Sequence, residues 1–273
     1  MIGRTNKLPF NPINWPAVPH DYTGDYNLGY AAVETTQRYA WGTRGMTWDG
    51  KVYRYGQARG TVLAGFGACN TAEIDVSDLL NTNFTVAIAP GDRSVTLVVT
   101  STEGYDGGGL AEDELVGAQY VVGHGVAGGA ATEQRTVIGN TAIAASTTGT
   151  VQVDVDMPFG LAHAAGFNEL PMNPYGYLMK PDNTIASVMG VPIITAGDLY
   201  NLWIQTWGLC FCVPGGADAN ISSAWQDRQV YFTGDGSVNG GDILDHTKYQ
   251  KAGFTTDASE SGSMPMVMLQ ISI

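Results

Sequence analysis

Charge is scarce in this chain. Only 14% of its 273 residues are Asp, Glu, Lys or Arg, against roughly a quarter in an average soluble protein. Exposed helical faces are built mainly from Glu, Lys and Arg, so the shortage argues against a helical architecture. Cysteine is scarce too, with only Cys69, Cys210 and Cys212. On a strand the last two would point to one face roughly 6.6 Å apart along the chain, a poor geometry for a mutual disulfide. An odd count without a framework points to folding in a reducing cytoplasm, with the three thiols as small buried hydrophobes. No apolar run approaches the ~20 residues of a membrane-crossing helix. The opening MIGRTNKLPFNPINWP lacks the continuous apolar stretch of a secretory signal. The expectation is a protein neither secreted by the usual route nor embedded in a membrane.

Local catalytic signatures are missing as well. His20, His124, His163 and His246 are the only histidines, and no two are spaced for a shared metal. His163, in LAHAAG, is expected to fill a half-buried position. There is no G-x-S-x-G elbow, no P-loop and no dinucleotide fingerprint. The run GYDGGGL (Gly104–Leu110) lacks the following Lys-Ser/Thr and the helix whose N-terminus would hold an anion. Glu112, Asp113 and Glu114 are contiguous, whereas paired catalytic carboxylates come from separate elements; a solvated turn is expected. In TGDGSVNGGD (Thr233–Asp242), Asp235, Asn239 and Asp242 match the later positions of a calcium loop. The earlier ligand positions fall on Tyr231 and Thr233, which supply no carboxylate. The sequence therefore predicts no enzyme, no cofactor and no metal site, and it reads Asp235–Asp242 as a hairpin loop.

Acidic residues outnumber basic ones, giving a net charge of -13 and a sequence pI near 4.5. Such a chain repels nucleic acid and anionic lipid, so neither is expected as a partner. Arg4, Lys7, Arg38, Arg44, Lys51, Arg54 and Arg59 place most of the positive charge in the first quarter. A region that lacks the charge of the body can dock on an acidic partner.

What the sequence has in abundance is glycine, 36 residues, together with Thr, Ser and Asn. This composition favours strands and turns. Residues 1–45 read as an extended arm, because Pro9, Pro12, Pro16 and Pro19 each fix φ and restrict the residue before them. The arm carries Phe10 and Trp15, which must bury somewhere, on the same chain or on a neighbour. Residues 46–273 read as a β-rich body, with a division into two subdomains near 160–190 left open. Asp49-Gly50 predicts a hairpin with a type I′ turn. Phe84–Ala89 and Ser94–Thr100 alternate around Pro90-Gly91 as a second hairpin. Strands are expected around Gln119–Val122 and Arg135–Ile138, followed by a Gly139-Asn140 turn. Thr150–Val155 alternates Val151, Val153 and Val155 against Gln152 and Asp154, and should bury the valine face. Leu202–Val213 is expected to be the most buried strand, with a bulge at Gly208. Gln229–Phe232 and Met266–Ile273 supply further strands, and one-turn helices are expected near Leu110–Leu115 and Gly241–Tyr249. The fold class is all-β, a β-sandwich or barrel-like antiparallel body with an extended arm and only short helices.

The order of blocks resembles a known kind of protein. WDGKVYRYGQARGTVLAG (Trp48–Gly65), VTLVVTSTEGYDGGGLAEDELVGAQYVVG (Val95–Gly123), TVIGNT (Thr136–Thr141), VQVDVDMPF (Val151–Phe159) and YNLWIQTWGLCFC (Tyr200–Cys212) together resemble head-associated structural proteins of tailed bacteriophages, of the capsid decoration or cement type. The resemblance implies a β-rich virion protein in many copies on the capsid exterior, assembled in the host cytoplasm. Its partners would be the major capsid protein and itself, with a trimer favoured. Phe10, Trp15, Arg38 and Arg44 are the expected interface residues. Two alternatives are another virion component (major capsid, tail or spike protein) and a carbohydrate-binding β-domain. In the second, Trp41, Trp48, Trp203, Trp207 and Trp225 would form a stacking platform.

Overall fold

The computed structural model describes residues 33–47, 49–70, 86–99, 109–122, 132–154, 156–163, 168–170, 173–181, 187–216, 221, 228–240, 249–256 and 265–272. The chain divides into two compact units. Unit 1 comprises residues 1–37, 43–69 and 180–273; unit 2 comprises 38–42 and 70–179. Among the described residues there is no helix, and antiparallel sheets curl into half-barrels, as the composition predicts.

The strands follow in chain order. β1 (Val33–Glu34), β2 (Arg44–Met46), β3 (Val52–Gln57) and β4 (Ala68–Asn70) come first. β5 (Ser94–Val98), β6 (Gly109–Leu110), β7 (Gln119–Val122), β8 (Glu133–Asn140), β9 (Ile143–Ala144), β10 (Thr148–Val153), β11 (Asn168–Glu169) and β12 (Leu178–Met179) follow. The chain then runs through β13 (Val188–Pro192), β14 (Asn201–Phe211), β15 (Gln229–Phe232), β16 (Val238–Gly240), β17 (Lys251–Thr255) and β18 (Met266–Gln270).

Unit 1 is organised by β14. Its sheet runs β4–β13–β14–β18–β17–β15–β16, with β1 and β3 also paired to β14, and β2 paired to β3. Leu202, Ile204 and Cys210 on this strand are buried, as is Cys212 just beyond it, which explains its nearly unbroken apolar sequence. Gly208 adopts φ +91°. The register against β3 shifts between Gln205 and Trp207, while the register against β18 runs straight through Gly208↔Leu269. The irregularity therefore falls at Thr206 and on the β3 side alone, two residues before the bulge expected at Gly208. Val267 and Leu269 are fully buried, so the C-terminal strand is tied into this core.

Two hairpin loops of unit 1 share one design. In TWDGK the Gly50 N–H donates to the Thr47 carbonyl at 3.0 Å, and the Thr47 N–H donates to the Lys51 carbonyl at 3.0 Å. Gly50 has φ +82°. In TGDGS the corresponding bonds are Gly236 to Thr233, 3.0 Å, and Thr233 to Ser237, 2.8 Å, with Gly236 at φ +81°. In each loop the threonine hydroxyl donates to the aspartate two residues on. The hairpin predicted at Asp49-Gly50 is present, with Met46 opposite Val52. Its loop is the three-residue kind closed by a left-handed glycine rather than a two-residue type I′ turn. The threonine–aspartate bond supplies the difference, since it organises a longer loop from within.

Unit 2 holds a sheet ordered β11–β7–β8–β10–β5 and a short pair, β6–β9. Val95, Leu97, Val151 and Val153 are buried with Tyr120 and Phe159 in its core. Several expectations need correction here. β5 pairs with β10, and Ile88 bridges to His163, so the described part of the Phe84–Ala89 segment does not pair with the strand that follows it. Val86 is 58% exposed, so the apolar alternation there does not mark one buried face. Gly139-Asn140 is not a turn but the end of β8, where the Asn140 side chain accepts from the Leu115 N–H at 2.8 Å and donates to the Ala111 carbonyl at 2.7 Å. Those bonds hold residues 111–116 as consecutive turns where a one-turn helix was expected, with Asp113 at φ +60°. Glu114 is buried there and accepts from the Ala111 N–H at 2.5 Å. Only Glu112 and Asp113 of the acidic triplet face water.

Candidate functional site

The densest polar constellation among the described residues lies in unit 2, around Glu133 at the start of β8. Its carboxylate accepts from the Arg135 guanidinium at 2.5 Å, the His163 Nε2 at 2.9 Å, the Gly160 N–H at 2.9 Å and the Leu161 N–H at 3.0 Å. Arg135 lies two residues along the same strand, so both side chains share a face. Its Nε donates to the Pro158 carbonyl at 3.0 Å, and its guanidinium lies 5.5 Å from the Phe159 ring centre. His163 is 8% exposed and meets the Phe159 ring edge-on. Burial pushes the Glu133 pKa up, but the His163 bond, the two backbone donors and the Arg135 charge outweigh it, holding the carboxyl at about 2. A carboxylate with every lone pair occupied is a weak base and an effective clamp. It fastens residues 158–163 to β8. His163, expected to be half-buried, is buried and held, and the thirty-residue separation from Glu133 hid the pair from any local pattern.

The second feature is a surface of unit 1. On β14, Cys210 is buried, as is Cys212 one residue past its end, while Leu209 is 38% and Phe211 41% exposed. Leu209 stands opposite Met268, and Phe211 opposite Met266. Met268 in turn faces Phe254 of β17, which is 37% exposed. Directly paired residues lie on the same side of a sheet, so these five side chains form one apolar field across three strands.

Cys69, Cys210 and Cys212 are buried thiols, and none is in a disulfide. Burial raises Cys69 to about 11, and the neighbouring Cys210 together with burial raises Cys212 as well. Asp235 Oδ1 is held within its own loop, accepting from the Thr233 and Ser237 hydroxyls at 2.6 Å each and the Ser237 N–H at 3.0 Å. Among the described residues no group of three His, Cys, Asp or Glu converges as a metal site. None of their helices is long and apolar enough to cross a membrane, which leaves strand-built membrane crossings untouched.

Of the expected interface residues, Phe10 and Trp15 lie outside the described residues, as do His20, His124, His246, Trp48 and Trp225. Arg38 is an exposed residue of unit 2. Arg44 belongs to unit 1, where it is half-buried on β2 directly opposite Arg54. Burial and then the Arg54 charge lower its pKa. Trp203 is 4% exposed and packs edge-on against Tyr55 with ring centres 5.2 Å apart, so it serves the core and not a stacking platform. No family model, curated protein or solved structure matches this chain.

Proposed function

We propose that this protein is a virion structural component of the decoration or cement type, binding the outside of a phage head and stabilising it by non-covalent contacts between subunits. The observation that carries the reading is the apolar field of Leu209, Phe211, Phe254, Met266 and Met268 on the outer side of the β14–β18–β17 sheet, a seat for an aromatic arm exchanged between neighbouring copies. Aromatic and methionine side chains at a surface suit burial against a partner. Burying apolar area yields about 25 cal/mol per Å² before association costs, and many copies on one shell multiply weak contacts. The low charge and acidic balance favour a protein partner over nucleic acid or lipid. The major capsid protein and further copies of this chain are the proposed partners, with a trimer as the proposed assembly.

The test is immunogold labelling of intact phage particles with antibody raised against the purified chain. Labelling distributed over the head surface supports the reading. Particles that carry no label while the antibody stains the infected-cell lysate reject it, and labelling confined to the tail selects a tail component instead.

A further inference from the structure

We infer that the apolar field on β14, β18 and β17 is the docking site for the Phe10–Trp15 segment of the same chain. Three observations converge on this occupant. The first is size. Leu209, Phe211 and Phe254 are each about two-fifths exposed, and with the two methionines they present on the order of 300 Å². A stable interface between two copies needs about 800 Å² per partner. The field is too small to hold a second folded body by itself, but it suits a short segment with two large anchors.

The second observation is spacing. Phe211 and Phe254 are separated by two strand spacings across the sheet and two residues along it, because Phe211 pairs with Met266 and Phe254 with Met268. That places them about 12 Å apart. The segment PFNPINWP carries Phe10 and Trp15 between Pro9, Pro12 and Pro16. Prolines at this density favour the polyproline II form, in which five residues span about 15 Å. A segment already stiff in solution loses little entropy on docking, which is why aromatic surfaces so often receive proline-rich chains.

The third observation is attachment. The chain enters the sheet through β1, where Val33 pairs with Leu202 of β14. Leu209 lies seven residues further along that same strand, about 24 Å away. Seventeen residues lie between Trp15 and Val33, and the eighteen extended steps from one to the other reach about 60 Å. The segment therefore reaches the field with slack. A tether of this kind gives an effective concentration in the millimolar range, well above that of separate molecules in a purified sample. The occupant in the isolated protein is thus the molecule's own arm. Exchange of arms between neighbouring copies would preserve every contact, which is the logic of domain swapping.

The experiment uses the full-length chain with 13C-methyl-labelled methionine and needs no viral component, so its outcome is independent of the virion reading. The resonances of Met266 and Met268 are assigned through the Met266→Leu and Met268→Leu variants. An aromatic ring held over a methyl group displaces its resonance, so Trp15→Ala should move both signals, Trp15→Phe should move them less, and the Met179 signal should stay in place. Shifts that remain unchanged on dilution from millimolar to micromolar protein identify the molecule's own arm. Met266 and Met268 signals indifferent to Trp15→Ala and Phe10→Ala would overturn the inference. A shift that disappears on dilution would assign the bound arm to another copy and overturn it equally.

Discussion

The Thr233 hydroxyl donates to the Asp235 carboxylate at 2.6 Å, and Thr47 makes the same bond to Asp49 in a second loop of the same unit. Both loops close on a glycine with φ near +80°, +82° at Gly50 and +81° at Gly236. The surroundings of the two glycines differ, and that difference yields the first prediction. A Cβ at Gly50 would meet nothing within 4 Å, whereas one at Gly236 would lie 2.5 Å from the Gly67 carbonyl oxygen and 3.0 Å from Pro181. Gly50→Ala should cost about 1 kcal/mol, the backbone term alone. Gly236→Ala should cost at least ~2 kcal/mol, because backbone has to move. Urea denaturation of both variants checks the ordering; equal losses would contradict the packing at Gly236.

Glu133 provides a pH dependence. Its folded pKa, about 2, lies below the ordinary carboxylate value of 4.5. A depressed pKa means that the unfolded chain binds the proton more readily, so the stabilisation is fully present above pH ~4.5 and is lost as pH falls towards 2. Glu133→Gln keeps the shape but removes the charge, and should destabilise by roughly 1–3 kcal/mol at neutral pH. The gap between wild type and variant should narrow steadily as the pH is lowered from 5 to 2 (both figures bracket the two pKa values). Thermal melts across that range give the answer, and a gap independent of pH would remove the ionised clamp from the account.

Gly149 on β10 faces Ile143. A Cβ added at Gly149 would overlap the Ile143 side chain, which is 2% exposed. Gly149→Ala should therefore cost about 1–3 kcal/mol. Combined with Ile143→Ala, it should cost clearly less than the sum of the two single changes, because the second vacates the space that the first needs. Additive losses in a double-mutant cycle would show that the two positions do not touch.

The two sides of the β14–β18 sheet should respond differently to the same chemistry. Val267 is fully buried and Leu209 is 38% exposed. Val267→Ser should cost at least ~2 kcal/mol through lost packing and a buried hydroxyl. Leu209→Ser should cost under about 1 kcal/mol. Circular dichroism melts decide between this and the reverse order, which would invert the assignment of inner and outer faces.

The strands were legible because alternation is local: Val151 and Val153, or Val267 and Leu269, declare a buried face over a few residues. Strand partners were not. Ser94–Val98 finds Thr148–Val153 instead of the segment just before it, and no short window carries a pairing that distant. The same limit hides the insertion by which unit 1 leaves the sequence at residue 69 and resumes at 180. Asparagine favours turns, but the Asn140 side chain is spent on orienting residues 111–115. The apolar field could have been found from sequence. Leu209, Phe211, Met266 and Met268 break the rule that one side of a sheet strand is polar, once Cys210, Cys212, Val267 and Leu269 are assigned to the core. The shared T-x-D-G of the two loops was visible as well, but only the hydrogen bonds show that both occurrences fold alike.

The central claim is that this molecule works by covering and gripping neighbours on a viral shell. Co-sedimentation of the purified chain with expanded phage heads tests that claim most directly. The account predicts saturable binding with a fixed number of copies per head, weakened at least tenfold by deletion of residues 1–20 while the far-UV spectrum stays β-like. Heads that pellet without the chain at every concentration would contradict it.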